Sequence, residues 1–262
     1  MKLLMKQNPK IIQITDTHLF AYNQTWYEFD TNKLLLDTLS YLKSFINKKS
    51  FLPDMFLLTG DLSQDGTKSS YQFLLYHLEK FNIKIAYVPG NHDNLSNLEE
   101  VFKKSSLVLK EKVVNLPNAW KLVLLNSVNV GKTAGYLSKD ELLFLQSTLT
   151  QSKNTKIVVV LHHHPVLINH YMDKYILENF DEFQQIIFKF SSIKAVIFGH
   201  IHQQRYYKVN DVGFYGTPST CMQLKTSSNT ELNDRFSNEK PGFRTFEFNG
   251  DNIFSDVVRV LI

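Results

Sequence analysis

The chain has 262 residues, of which 43% are hydrophobic and 21% are charged, a composition that fits a folded domain and excludes extensive disorder. No window approaches the roughly 20 consecutive apolar residues of a membrane-spanning helix, so we expect no membrane association. The formal net charge of +4 comes with scattered lysines, which indicates solvated surfaces and no nucleic-acid partner.

Strand-like and helix-like segments alternate through the first part of the chain. Apolar runs predict three strands, at 10–15, 54–59 and 84–88. Helical spacing of apolar residues predicts three helices, at 31–46, 68–80 and 96–104. Repeated strand-helix units of this kind predict a parallel sheet.

The second part of the chain continues with strands at 112–116, 121–127, 156–161 and 194–198. Helices are predicted at 138–149 and 178–190, and Ser138 with Glu141 has the pattern of a capping box. An antiparallel finish is predicted at 204–209, 212–216, 243–248 and 253–260. We therefore predict an α/β fold with two packed sheets flanked by helices, in a single domain over residues 1–262.

Polar motifs follow five of the predicted strands. They are Asp16-Thr17-His18, Gly60-Asp61, Gly90-Asn91-His92-Asp93, His162-His163-His164-Pro165 and Gly199-His200-Ile201-His202. The carboxyl ends of parallel strands gather at one edge of a sheet, so we expect these motifs to meet around one crevice. Carboxylates, one of them able to bridge, and neutral imidazoles suit a centre of two metal ions.

Each motif alone is weak evidence for metal binding. Asp16 and His18 would share a face of a continuing strand or close on one ion at a turn, and they also fit a plain polar turn. Asp61 follows a glycine that would aim it into the crevice, or it caps a β-turn. His200 and His202 would share a face of an extended segment and serve one ion or two. Their joint occurrence in this order makes the metal site a strong prediction.

The same series of motifs resembles the calcineurin-like metallophosphoesterases, whose fold is a four-layer β-sandwich flanked by helices. The stretches QITDTHLFA, TGDLSQD, PGNHD, LHHHP, FGHIHQ and GTPSTCMQLK are similar, more narrowly, to the class III cyclic nucleotide phosphodiesterases. This resemblance implies a hydrolase that uses a metal-activated hydroxide to cleave the 3′ ester bond of 3′,5′-cyclic AMP. The product would be 5′-AMP, and the biological effect would be to lower cyclic-AMP signalling.

The resemblance also implies the roles of individual residues. It assigns one metal ion to Asp16, His18 and His202 and the other to Asn91, His162 and His200, with Asp61 bridging both. The ions would be two divalent or mixed-valence metals, with iron or manganese favoured and zinc or cobalt as alternatives. His163 and His164 are left open as supporting groups or phosphate contacts.

Catalysis would depend on the loop that carries Asn91. His92 would act as a general acid or stabilise a phosphate oxygen, oriented by Asp93, although both residues also fit a supporting role in the loop. The phosphodiester would contact His18, Asp61, Asn91, His92 and His202. The adenine would meet a rim for which the candidates are Phe20, Tyr22, residues 224–241 and His163 or His164. We expect residues 224–241, which are polar and rich in turn formers, to form a long mobile loop near the site.

Three alternatives remain open. The same ligand set supports other phosphomonoesterases and phosphodiesterases, a nuclease is a further alternative, and a scaffold without catalysis is disfavoured by the intact ligand set. The opening residues lack the apolar segment of a signal peptide and the chain has one cysteine, so we expect a cytoplasmic protein. That residue, Cys221, is predicted to be a small buried or loop residue rather than a reactive thiol. The sequence leaves open whether the protein is a monomer or a dimer.

Overall fold

Two large β-sheets form the centre of the protein in a computed structural model that describes residues 8–22, 24–49, 51–226 and 235–261. The strands are β1 (Lys10–Ile14), β2 (Met55–Thr59), β3 (Lys84–Val88), β4 (Val113–Leu116), β5 (Trp120–Leu124), β6 (Lys156–Val160), β7 (Ile193–Phe198), β8 (Arg205–Val209), β9 (Val212–Gly216), β10 (Gln223–Leu224), β11 (Phe236–Ser237), β12 (Gly242–Asn249) and β13 (Asn252–Arg259). The helices are α1 (Thr31–Lys49), α2 (Lys68–Glu79), α3 (Leu95–Phe102), α4 (Lys139–Gln151) and α5 (Phe180–Ile187).

The strand order is β13-β12-β1-β2-β3 in the first sheet and β4-β5-β6-β7-β9-β8 in the second. The pairs β1 with β2 and β2 with β3 are parallel, and so are β5 with β6 and β6 with β7. The later strands add the antiparallel pairs β8 with β9 and β12 with β13, as the alternating segments predicted. Parallel strands therefore lie side by side in both sheets, as β1-β2-β3 in the first and β5-β6-β7 in the second.

Each sheet packs against the other sheet on one face and against helices on the opposite face, so successive side chains along a strand enter different clusters of the core. In β1, Ile11 packs into the core between the two sheets, whereas Ile12 packs against α1 and α2 on the outside. In β6, Val158 faces the core between the sheets and Val159 faces the layer of α4 and α5. Strands buried on both faces have continuous apolar sequences, and this property made them recognisable. The order of layers is helix, sheet, sheet, helix, which confirms the predicted fold class.

Three local features differ from the prediction. A 3₁₀ helix at Tyr171–Tyr175 precedes α5 and was not predicted, and neither was the short antiparallel pair of β10 with β11. Ser138 does accept a hydrogen bond from the amide of Glu141, but the carboxylate of Glu141 accepts from the Asn126 amide and Lys112. The predicted capping box is therefore wrong in its second half, because a nearby ammonium and a free amide attract that carboxylate.

Among the described helices, none is long and apolar enough to cross a bilayer. The single domain over residues 1–262 stays a prediction. It agrees with the one continuous core that the two sheets share.

Candidate metal centre

The five polar motifs meet at the edge where the parallel strands end. Asp16, Asp61 and Asn91 follow β1, β2 and β3 of the first sheet. His162 and His200 follow β6 and β7 of the second sheet. Hydrogen bonds from the Asp16 amide to the Gly60 carbonyl (3.0 Å) and from the His200 amide to the Asp16 carboxylate (3.1 Å) join these ends. The sandwich thus assembles one polar cluster from residues that lie far apart in sequence.

Backbone strain is concentrated in this cluster. Left-handed φ angles, between 45° and 68°, occur at five of the seven proposed ligands, namely Asp16, His18, Asp61, His200 and His202. Such angles cost free energy for residues other than glycine and are typical of functional sites. They also correct one expectation: His200 and His202 do not lie on an extended segment, because each turns sharply. Their side chains consequently reach different parts of the cluster.

The first part of the cluster contains Asp16, His18 and His202. The Nε2 atom of His202 lies 3.3 Å from Asp16 Oδ1 and 3.1 Å from His18 Nε2. All three side chains are buried, with exposed fractions of 5% or less. The strand-end turn at 16–18, and not a continuing strand, brings Asp16 and His18 together.

The second part contains His162 and His200, and Asp61 lies between the two parts. The Asp61 Oδ2 atom is 3.2 Å from His162 Nε2 and 3.7 Å from His18 Nε2. The rings of His162 and His200 lie 5.0 Å apart between centroids. One carboxylate oxygen therefore faces a histidine of each part, which is the arrangement expected of a bridging ligand.

The histidines are oriented by hydrogen bonds on their far sides. His162 and His202 donate through Nδ1 to the backbone carbonyls of Thr59 and Met222, at 2.7 and 3.0 Å. His18 donates through Nδ1 to the side-chain oxygen of Gln64, at 2.8 Å. His200 donates through Nε2 to the Tyr175 carbonyl, at 3.1 Å. In a neutral imidazole the other nitrogen then carries a lone pair, and partners of this kind are characteristic of metal-binding histidines.

Two observations test whether the cluster fits metal ions. The Nε2 atoms of His18 and His202 face each other at 3.1 Å, and since the Nδ1 atom of each ring is already hydrogen-bonded, this close pair fits a shared proton or a metal ion. Asn91 Oδ1 is buried without a hydrogen-bond partner among the described residues, and His162 Nε2 faces the Asp61 carboxylate at 3.2 Å. Buried polar atoms normally have partners, so the Asn91 oxygen points to a cation. The donor set of carboxylates, an amide oxygen and imidazoles fits divalent first-row metals.

Electrostatics of the cluster also favour bound cations. Burial acts to lower the pKa of His162, but the Asp61 carboxylate outweighs it and raises this pKa to about 9. Burial likewise opposes ionisation of Asp61, but the His162 charge holds the pKa of Asp61 well below its usual value. Burial and the neighbouring histidines lower the pKa of His200, which keeps its imidazole neutral. The protein thus stabilises the ionised, buried Asp61 carboxylate beside a protonated His162 and a neutral His200.

The two other histidines of the triple motif have structural partners. His163 donates through Nε2 to the Thr133 carbonyl at 3.1 Å, and its Nδ1 lies 2.8 Å from the Ser127 hydroxyl. His164 Nε2 lies 3.3 Å from Asp173 Oδ1. Both rings are fully buried, and neither lines the cavity above the cluster. These contacts favour the supporting role over phosphate contact, and His162 is the member of the triple that faces Asp61.

His92 and Asp93 have different surroundings. His92 lines the cavity, and its backbone amide donates to Asp61 Oδ1 at 2.9 Å. Asp93 accepts hydrogen bonds from the amides of Gly90, Leu62 and Ser63 and from a tyrosine hydroxyl. Burial and the nearby Asp61 charge raise the pKa of Asp93 to about 7. Asp93 therefore positions the backbone of the loop, and its participation in catalysis stays a prediction.

The rim of the cavity differs from the sequence-based candidates. Phe20 is buried and Tyr22 is 75% exposed, and neither lines the cavity. The turn that follows them instead presents Trp26 and Tyr27 to the cavity, a change of chain direction that no sequence pattern indicates. Residues 227–234, the middle of the predicted loop at 224–241, lie outside the described residues. Leu224, Arg235 and Phe236, on either side of that segment, do line the cavity.

Cys221 is a further neighbour that the motifs did not identify. It is buried, as predicted, and its sulfur lies within 4.8 Å of a ring nitrogen of His18 and of His202. The thiol donates to the Asp16 carbonyl at 3.2 Å. The sequence stretch GTPSTCMQLK thus packs directly beneath the first part of the cluster.

We expect the substitution Gly60→Ala to disrupt the cluster. Gly60 has a φ of 91°, and a Cβ atom there would overlap the His162 ring and lie 2.7 Å from the Gly90 nitrogen. The variant should lose metal binding and unfold more easily, by more than the 1–2 kcal/mol that a left-handed alanine costs. Metal analysis and thermal unfolding of the purified variant measure the two effects.

Gly131→Ala is the matched control for that variant. Gly131 has a similar φ of 81°, but a Cβ atom there would meet nothing within 4 Å. Gly131→Ala should lose only the stability that a left-handed backbone costs an alanine, and it should keep its metal. If both variants lost the same stability and both kept their metal, close packing at Gly60 would not support the site.

Comparison with known proteins identifies similar sequences along most of the chain. A family model described as calcineurin-like phosphoesterase matches residues 9–204. The 3′,5′-cyclic adenosine monophosphate phosphodiesterase CpdA of Vibrio vulnificus is 33% identical over 254 residues, which is 95% of this chain and 89% of that protein. A 3′,5′-cyclic-nucleotide phosphodiesterase of Nostoc is also 33% identical, over 94% of this chain and 90% of its own.

Two solved structures that resemble the fold share little sequence with the chain. A dimetal phosphatase from Danio rerio aligns over 98% of this chain and 100% of its own, with a TM-score of 0.66 and 12% identity. GAP50, an anchor in the inner membrane complex of Plasmodium, aligns over 97% of this chain and 85% of its own, with a TM-score of 0.64 and 14% identity. These similarities support the fold.

Proposed function

The chain belongs to the calcineurin-like phosphoesterase family, and from this premise we propose that it hydrolyses 3′,5′-cyclic AMP to 5′-AMP at a centre of two metal ions. The observation that carries the proposal is the position of Asp61, whose Oδ2 faces His162 on one side and His18 on the other. A single carboxylate oxygen between two sets of nitrogen donors suits two adjacent cations.

The ligands of the proposed ions are those implied by the sequence. One ion would be held by Asp16, His18 and His202 and the other by Asn91, His162 and His200, with Asp61 shared. Iron or manganese is proposed, since mixed oxygen and nitrogen donors suit both, and zinc and cobalt remain alternatives. When bound, such ions supply positive charge to the phosphodiester oxygens and activate water for attack on phosphorus.

The residues of the chain perform the remaining tasks. The buried carboxylates and imidazoles set the charge of the site, and the hydrogen bonds behind the histidines fix the direction of their rings. The His92 ring stands at the cavity wall, where it can donate a proton to the departing oxygen. As water adds to phosphorus, the bond between phosphorus and the ribose 3′ oxygen breaks and that oxygen takes up a proton. The product is 5′-AMP with a free 3′ hydroxyl.

The substrate class is supported by the relatives. The Vibrio and Nostoc proteins carry names that specify cyclic nucleotide hydrolysis, and a CpdA of Escherichia coli is 28% identical over 96% of this chain. The GTPSTCMQLK stretch, which carries the resemblance to this class of enzyme, packs beneath the site through Cys221. We propose accordingly that the protein lowers cyclic-AMP signalling in the cytoplasm, with a small-molecule substrate and no nucleic-acid partner.

Steady-state kinetics test the proposed function. The purified protein is loaded with manganese or iron and assayed with 3′,5′-cyclic AMP and with bis(p-nitrophenyl) phosphate. We expect 5′-AMP as the product, with kcat/KM at or above about 10⁴ M⁻¹s⁻¹, the lower end of the usual range for enzymes. Cleavage of the synthetic diester alone would contradict the substrate while retaining the chemistry, and cleavage of neither would favour a scaffold.

A further inference from the structure

An aromatic wall borders the polar floor of the cavity. Its members are Trp26, Tyr27 and Phe236. The Trp26 ring centroid lies 4.0 Å from that of His18 and 5.6 Å from that of His92, so this ring directly adjoins the candidate metal centre. A polar floor beside a planar aromatic surface fits a ligand that has a phosphate at one end and a flat ring at the other.

The position of Trp26 is fixed by a tight turn. The Trp26 amide donates to the Phe29 carbonyl at 3.0 Å, and the Phe29 amide donates back to the Trp26 carbonyl at 3.1 Å. Tyr27 has a φ of 53°, which reverses the chain between these two residues. The indole is thus carried on a short hairpin above the end of β1.

Contacts from β11 hold this hairpin in place. The Phe236 ring lies 5.1 Å from Tyr27 and 5.4 Å from Phe29, measured between centroids. The Arg235 guanidinium lies 4.5 Å from the centre of the Tyr27 ring, a cation-π contact. The aromatic wall therefore exists before a ligand arrives, which reduces the entropy lost when a ligand binds.

We propose that Trp26 is the surface on which the nucleobase of the substrate stacks. The inference deepens the proposed function and rests on it for the identity of the phosphate. Stacking needs only a flat ring, which every base has. Trp26 would therefore let the enzyme prefer nucleotides over phosphodiesters without a base, but it would not discriminate adenine from guanine. Because the Trp26 ring lies beside His18, a base stacked on it would be close enough to the candidate metal centre to belong to the same nucleotide as the bound phosphate.

Tryptophan fluorescence tests the contact without any need for turnover. The chain has two tryptophans, and the other, Trp120, is buried between the sheets with 1% of its surface exposed. We expect 5′-AMP to quench the fluorescence of the metal-loaded protein and ribose 5-phosphate to leave it unchanged. The quenching should be absent in Trp26→Phe. Inhibition of bis(p-nitrophenyl) phosphate cleavage by 5′-AMP, without any quenching in the unsubstituted protein, would overturn the proposal.

Kinetics with and without a base supply the second test. In Trp26→Ala, kcat/KM for cyclic AMP should fall roughly 5- to 150-fold, the range measured when a stacking aromatic is removed. The value for ribose 3′,5′-cyclic phosphate, which has no base, should stay within about twofold. Trp26→Phe should retain most of the activity on cyclic AMP.

Tyr22→Ala is the matched control, because Tyr22 belongs to the same segment but is exposed outside the cavity. It should leave both substrates unaffected. Equal losses for the two substrates in Trp26→Ala would show that the indole merely supports His18, and the stacking proposal would then be wrong. If the base quenched the fluorescence but the protein cleaved no cyclic nucleotide, stacking on Trp26 would be supported and the proposed function would be refuted instead.

Discussion

Asp61→Asn is expected to abolish tight binding of both metal ions and to lower kcat/KM by at least about 1,000-fold, or about 4 kcal/mol of transition-state stabilisation. The Asp61 Oδ2 atom faces His162 at 3.2 Å and His18 at 3.7 Å, so this one atom serves both parts of the cluster. A neutral amide in its place removes the charge that would attract both cations.

The fold should tolerate this substitution. Asparagine adopts left-handed angles readily, so the φ of 51° at this position is no obstacle. Its Oδ1 atom can still accept the hydrogen bond from the His92 amide. We therefore expect the metal-free variant to fold, but to unfold at a lower temperature than the metal-free parent protein, because the contact between the Asp61 charge and the His162 ring is lost.

Metal analysis after dialysis, compared among three proteins, checks this prediction. Asp16→Asn serves as the comparison, because Asp16 faces His202 and belongs to the first part of the cluster. It should weaken one ion more than the other, whereas Asp61→Asn should release both. Two tightly bound ions in Asp61→Asn would rule out the bridging role.

His92→Ala should keep both metals but lose about 10²- to 10⁴-fold in turnover of cyclic AMP, the contribution typical of a general acid. The contact between position 92 and Asp61 uses the backbone amide, which alanine retains. The imidazole itself lines the cavity, with its ring 5.0 Å from that of His18. Removing it should therefore affect the reaction more than the assembly of the site.

Two substrates with different leaving groups show whether His92 acts as a general acid or only supports the loop. The ribose 3′ oxygen needs a proton as it departs, whereas p-nitrophenolate is stable without one. Activity of His92→Ala on bis(p-nitrophenyl) phosphate should accordingly fall much less than its activity on cyclic AMP. His77→Ala, which removes a histidine from α2 far from the cavity, is the control and should match the parent protein. Loss of bound metal in His92→Ala would assign it a structural role.

Local signals explain why the fold could be predicted from the sequence. Strands such as β2 and β6 are buried on both faces and appear as continuous apolar runs, so their bounds lie within one residue of the predicted 54–59 and 156–161. Helix ends were less accurate: α1 continues to Lys49, and α5 is confined to Phe180–Ile187. Helix ends depend on capping and tertiary contacts that periodicity does not contain.

The sequence allowed prediction of which residues gather at the candidate site, but not of which histidine of the triple faces Asp61 or which aromatic residues line the cavity. Each ligand motif follows a strand end, and the topology alone then brings the motifs together. The choice of His162 over His163 depends on partners distant in sequence, Thr59 for one ring and Ser127 with Thr133 for the other. The aromatic wall arises from contacts between the hairpin at Trp26 and β11, and no local pattern encodes such contacts.

Anomalous diffraction from crystals of the manganese-loaded protein tests the central claim most directly. We predict two manganese peaks on either side of Asp61, one in contact with Asp16, His18 and His202 and the other with Asn91, His162 and His200. A single peak, or two peaks that do not share Asp61, would contradict the proposed centre of two metal ions.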